Sequence, residues 1–281
     1  MFDSKFSELT EAELTEVKEN AAAKLGICKK QNDIIGQQIF SILSLYARVI
    51  YYPLGKDAVW GFTRIKGSTD GVKGNKPFVA INSSIPYDCQ IFAAAHELYH
   101  IWFENKVDVI PANIIDETIN DRNELKANRF AAEFLVDEEL LLKEIRIYSI
   151  DCAKISLKDI LRLANLFSVP YRTMVKRLYE IGSISKQKRV EYLDIKEEEI
   201  SAARKRYAIA IPEPDNRIAI DNLTDLAVDA YEKRLITFEK LEYLLHLSNL
   251  TPSEVGIPEK ANGAYPSDSE LDDMNAGQDN R

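Results

Sequence analysis

At 281 residues the chain can bury a sizeable core, and its length alone allows about two domains. Hydrophobic residues make up 46% and charged residues 29%, an ordinary globular balance, and the net charge of -9 argues against a surface that binds nucleic acid non-specifically. The three cysteines, Cys28, Cys89 and Cys152, are odd in number, far apart and include no C-x-x-C. That excludes a disulfide framework and points to small buried thiols in a reducing, cytoplasmic setting.

The first residues mix acids and bases (Asp3, Lys5, Glu8, Glu11) without the apolar core of a signal peptide, and no run reaches the ~20 apolar residues of a membrane span. Residues 9–26 read as a polar, fairly exposed helix and 33–46 as a more apolar one. Val49–Tyr52 reads as a strand stopped by Pro53. Ala58–Ile65, rich in β-branched and aromatic residues, reads as a second. Three glycines between 67 and 75 mark a turn, and Pro77–Asn82 is a third strand. Ser83 and Ser84 then offer capping hydroxyls and Pro86 a helix start.

The helix that follows carries His96-Glu97-Leu98-Tyr99-His100, an H-E-x-x-H motif. Positions i and i+4 stack on one helix face, so both imidazoles can reach one metal ion, with Glu97 beside them as a proton acceptor. Ile91, Ala95, Leu98 and Trp102 form an apolar back at i, i+4, i+7 and i+11. Two of the chain's three histidines stand in this motif; the third, His246, reads as a packed residue of a distant helix. Strands followed by such a helix indicate an α+β core.

An open tetrahedral site needs three protein ligands, and His-His-Glu is a recurring set. After an irregular connection through Pro111, a helix containing Asn123–Leu135 offers Glu124, with small Ala127 and Ala131 on the same face to allow close approach. Asp116, Glu117 and Asp121 compete for that role. Asn128, one turn beyond Glu124, is placed to accept a hydrogen bond from the far nitrogen of a ligating histidine. Similar ligand sets accept manganese or iron as well as zinc. Tyr51, Tyr52 and Tyr87 are candidate oxyanion donors, although tyrosines more often simply pack. A substrate peptide adding as a strand alongside Ala80, Ile81 and Asn82 would gain main-chain hydrogen bonds.

Ile91–Ile101 and Glu124–Leu135 together resemble the ImmA/IrrE family of zinc metallo-endopeptidases, with Val59–Phe62 and Phe78–Ser83 similar to its preceding strands. The resemblance covers about 49–135 and, more loosely, 164–178. It implies a minimal zincin-like core with a small three-stranded sheet and a helical C-terminal region. It also implies one Zn2+ per chain on His96, His100 and Glu124, Glu97 as base, and cleavage of a helix-turn-helix repressor. The alternative is a non-catalytic zincin-like regulator that binds a repressor or DNA. Two positions depart from the family pattern: Tyr99 stands where Gly is usual, and Val136-Asp137 replaces Met-Pro. Tyr99 points about 100° away from His100 and is expected to crowd a neighbouring helix or narrow the cleft.

Residues 141–190 hold 11 Lys/Arg and 4 Asp/Glu, a local balance of +7 in an acidic chain. Helices at 157–167 and 171–181 around Phe167–Pro170 resemble a helix-turn-helix, which makes DNA contact conceivable. A pair packed on the core with basic solvent faces is the favoured expectation. The organisation expected is an N-terminal helical segment (1–48), the metallopeptidase core (49–146), the basic helix pair (147–190), a C-terminal helical region (191–257) with helices at 220–233 and 237–247, and a disordered acidic tail (258–281).

Overall fold

The computed structural model describes residues 9–64, 76–104, 110–111, 121–220, 223–248 and 250–258. The chain divides into two compact units, residues 1–221 and 222–281. The expected tail from 259 onward and the loop at 67–75 lie outside the described residues.

The first unit begins with α1 (Glu11–Ile27), opened by a capping box in which Thr10 accepts from the Glu13 amide and Glu13 reaches back to the Thr10 amide. It is less exposed than its composition implies, because Val17, Ala21 and Leu25 are buried along one side. After α2 (Gln38–Tyr46) come β1 (Arg48–Tyr52), β2 (Gly61–Arg64) and β3 (Phe78–Asn82). The second strand is shorter than expected at its start for a side-chain reason. Asn82 Nδ2 donates to the carbonyls of Gly55 (2.8 Å) and Val59 (3.1 Å), and its Oδ1 accepts from the amides of Leu54 (3.1 Å) and Ser84 (2.9 Å). Those four bonds hold 54–59 as a loop.

The three expected strands are joined by two short ones, β4 (Ile110–Pro111) within the stretch read as irregular, and β5 (Ala219–Ile220). The sheet order is β4-β2-β3-β1-β5. β3 runs parallel to β1, with Ala80 opposite Ile50, and antiparallel to β2, with Ala80 opposite Phe62. β5 pairs antiparallel with β1. The interior position of β3 corrects the expectation that a substrate strand adds along Ala80, Ile81 and Asn82: both of its sides are already paired.

Helix α3 (Tyr87–Phe103) follows β3 and is buried continuously from Asp88 to His100, between the sheet, α2 and α4 (Arg122–Leu135). The expected serine cap is not made, since Pro86 occupies the cap position without a side-chain bond. Ser83 Oγ instead donates to Arg217 O (2.7 Å), and Gln90 Nε2 to Ile85 O (3.0 Å). Ala127 and Ala131 of α4 are fully buried, which lets α3 and α4 pack closely.

Next come α5 (Glu138–Ile147), α6 (Leu157–Phe167), α7 (Tyr171–Glu180), α8 (Lys186–Leu193) and α9 (Glu197–Arg206). Ile160, Leu161, Phe167, Met174, Val175 and Leu178 of the α6–α7 pair join the same apolar core as α3 and α4. Arg177, 1% exposed, donates from Nε (3.1 Å) and Nη2 (2.9 Å) to Val136 O and from Nη1 to Glu133 and Glu180 (2.9 Å each). A basic residue of the second helix is thus consumed in docking it to the end of α4, as a packed pair requires.

In the second unit α10 (Leu223–Glu232) and α11 (Phe238–His246) enclose a small core of Ala227, Phe238, Leu241, Leu245 and Ile257. His246 is exposed at the end of α11, which corrects the expectation that it packs.

Two stability measurements follow. Arg177→Ala removes the buried partner of Glu133 Oε2 and both donors to Val136 O, leaving Glu133 (5% exposed) with Arg129 alone, and is expected to cost about 3–5 kcal/mol in urea unfolding. Asp88, near the start of α3, has its carboxyl raised to about 6, first by burial, against the opposing pull of Arg204. The native state therefore holds a proton that the unfolded chain releases at lower pH, and stability falls as pH rises from about 4 to about 6. Asp88→Asn is expected to flatten that slope, gaining up to about 3 kcal/mol over the wild type by pH 7.

Candidate metal centre

α3 and α4 bring three potential ligands to one point. His96 and His100, four apart on α3, face each other with Nε2 atoms 3.0 Å apart. Glu124, in the first turn of α4, places Oε2 3.2 Å from His96 Nε2 and Oε1 3.4 Å from His100 Nε2. Among the described residues this is the group of His, Cys, Asp and Glu side chains arranged to hold a metal ion.

The donor set fits a divalent cation. Ligand bonds of about 2.0–2.1 Å at tetrahedral angles put donor atoms roughly 3.3 Å apart, and the three separations straddle that value. Both histidines are fully buried and Glu124 is 5% exposed, yet neither oxygen of Glu124 has a hydrogen-bond partner. Buried carboxylate oxygens without donors are costly unless a positive charge faces them.

The far nitrogens of both imidazoles face side-chain oxygens. His96 Nδ1 lies 2.9 Å from Asn128 Oδ1, the partner the spacing anticipates. His100 Nδ1 lies 3.0 Å from Glu104 Oε2, just past the end of α3. Glu104 was not anticipated, although its place four residues beyond His100 on one helix face was a legible signal.

Glu97 is fully buried against β2. Thr63 Oγ1 donates to its Oε2 at 2.6 Å, and Oε1 has no hydrogen-bond partner. Burial lifts the Glu97 carboxyl to about 7, opposed by His100 and the Thr63 hydrogen bond and reinforced by Glu124 and Glu104. Thr63 too escaped the sequence argument, because the contact joins residues 34 apart and no spacing rule links a strand hydroxyl to this helix.

Of the competing acids, Asp121 caps α4 by accepting from the Asn123 amide (2.8 Å), and Asp116 and Glu117 lie outside the described residues. Tyr51 packs edge-on to Phe40 and beneath the Arg217 guanidinium, 3.7 Å from its ring centre; Tyr87 packs on Phe40, and Tyr52 is exposed. Tyr99 is buried, its ring 5.2 Å from that of Phe103 and 5.6 Å from that of Phe130. It fills the α3–α4 interface with aromatic contacts.

An H-E-x-x-H helix laid on a small mixed sheet, faced by a carboxylate from a second helix, defines a metallopeptidase-type protein. Residues 44–179, just under half of the chain, match the family model described as IrrE N-terminal-like domain, Peptidase_M78. That match supports assignment of the domain to the ImmA/IrrE family of metallopeptidases. No curated protein and no solved structure gives a significant match to the chain. No helix among the described residues is long and apolar enough to cross a membrane.

If the triad holds a metal, the purified protein carries one divalent ion per chain by elemental analysis, and EDTA lowers its melting temperature. At ion concentrations about a hundredfold over Kd the stabilisation is about 2.7 kcal/mol. Glu124→Ala and His96→Ala are expected to lose both the ion and the EDTA effect.

Proposed function

We propose that this protein is a zinc-dependent endopeptidase of narrow specificity, with His96, His100 and Glu124 as ligands and Glu97 as general base. Its substrate on this reading is a helix-turn-helix transcriptional repressor, as the family resemblance implies. The observation that carries the proposal is the convergence of three buried donors on one point, with a second buried carboxylate, Glu97, close by whose Oε1 has no partner.

A zinc ion held by the triad supplies Lewis acidity toward a water molecule and the scissile carbonyl. Three protein donors leave a tetrahedral position open, whereas structural zinc is usually closed by four. Glu97, tethered through Oε2, has Oε1 available to accept the proton of the attacking water and then to deliver it to the leaving amine. Asn128 holds the His96 ring in one orientation, and the Glu104 carboxylate stands against the His100 ring from the other side.

The buried position of Arg177 in α7 weighs against the alternative of a DNA-binding regulator, since the helix that would enter a groove is docked on α4.

Coexpression with a repressor encoded nearby tests the proposal. The wild type is expected to cut it at a defined bond, and Glu97→Gln to lose about 10²–10⁴ in rate, the usual contribution of a general base, with zinc content retained. Repressor inactivated yet uncut by both forms would identify a sequestering protein instead.

A further inference from the structure

β2 presents two residues to the motif helix, Gly61 and Thr63, two apart as the pleat requires for one face, and both are buried. Each meets the Glu97 carboxylate, and from opposite ends. Thr63 Oγ1 donates to Oε2 at 2.6 Å. A Cβ built on Gly61 would stand 3.0 Å from Oε1, 3.4 Å from Glu97 Cγ and 3.2 Å from Ala80 O. The last of these is backbone of the central strand and has no room to give.

We propose that Gly61 and Thr63 form a cradle that sets the position of the base: Thr63 is a positioning residue that ties down Oε2, and Gly61 leaves the space in which Oε1 stays available for proton transfer. The inference rests on Glu97 acting as the proton acceptor.

The chemistry of the two positions is matched to that task. A hydroxyl has a single hydrogen to donate, so Thr63 engages one carboxylate oxygen and leaves the other. Its β-branched side chain is restricted at χ1, so the hydroxyl is presented with little freedom. A Cβ at position 61 would press the carboxylate aside by a few tenths of an ångström, and position matters at a reacting group, where about 1 Å costs on the order of 10²-fold in rate. A purely structural role for Thr63, donation to a buried carboxylate for its own sake, predicts lost stability in its variants without a selective effect on the base.

Binding of acetohydroxamic acid to the zinc-loaded full chain separates these cases, because a hydroxamic acid gives up its proton to a neighbouring base as it binds the metal. Affinity is measured by calorimetry beside zinc content and melting temperature. Thr63→Val is expected to weaken the probe about tenfold, the scale of one hydrogen bond to a charged group, with zinc stoichiometry unchanged, and Thr63→Ser to restore it to within about threefold. Gly61→Ala is expected to weaken it similarly through the opposite oxygen, which keeps the test alive should Thr63→Val fail to fold. Glu97→Gln is expected to bind weakest. Wild-type affinity in Thr63→Val and Gly61→Ala alongside a weakened Glu97→Gln overturns the cradle and leaves the base standing. An unweakened Glu97→Gln removes Glu97 as the base. Loss of zinc in Thr63→Val assigns Thr63 to metal retention and overturns its positioning role.

Discussion

Glu124 is 5% exposed and neither of its oxygens meets a hydrogen-bond donor. Stripping a carboxylate of water costs several kcal/mol even after the surroundings relax, and the two imidazoles facing it offset that fully only if a cation joins them. The protein nevertheless directs considerable structure at holding it there. Arg122 and Lys126, two residues to either side, pair with Glu13 and Glu16 of α1, and Asp121 caps the helix immediately before. Neighbouring charges of α4 are satisfied at the surface while Glu124 is turned inward between Ala127 and the motif helix. The first turn of α4 is therefore fixed by contacts that leave the Glu124 carboxylate buried beside the two histidines.

The supporting frame extends beyond the segment that carries the family pattern. α1 and the strand β5 both lie outside residues 44–179, yet each secures one of the two helices that carry the His96, His100 and Glu124 triad. α1 packs along α4, burying Val17, Ala21 and Leu25. The segment around β5 holds the start of α3: Ser83 Oγ bonds Arg217 O, the Asn216 amide donates to Ser83 O at 3.0 Å, and Gln90 Nε2 reaches Asp215 at 3.3 Å. Exposed ion pairs contribute little individually, but partly buried clamps at a helix start define where the next three turns point.

What the sequence disclosed follows from how local each determinant is. The two histidines, Glu97 and the small residues beside Glu124 are set by helical period, so their meeting was readable without coordinates, as were the α6–α7 pair and the three longer strands. Sheet order is not local. Nothing in Phe78–Asn82 says that both of its sides are taken, because one partner precedes it by 30 residues and the other by 14–20. The same applies to Thr63 on Glu97, and to Ser83, whose hydroxyl is claimed by a carbonyl 134 residues away before it can cap α3. His246 was misjudged because a helical period marks an apolar side, and His246 follows the last buried leucine on the solvent side of a helix only nine residues long.

The departure at Val136-Asp137 shows how a motif can change without changing the contact it serves. Arg177 grips position 136 through the main-chain carbonyl, with two donors at 2.9 and 3.1 Å, so the interaction survives replacement of the side chain there. Val136 itself is fully buried and keeps the apolar character of the position. Asp137 takes up a different duty at the start of α5, accepting from the Leu140 amide at 3.0 Å as a helix cap. The charged network beyond it, Arg129 and Arg177 against Glu133 and Glu180, closes on itself. Part of the +7 excess of residues 141–190 is thus spent inside the protein, and with Lys188 also bonded to Ala153 O the basic content of this region is partly a packing device.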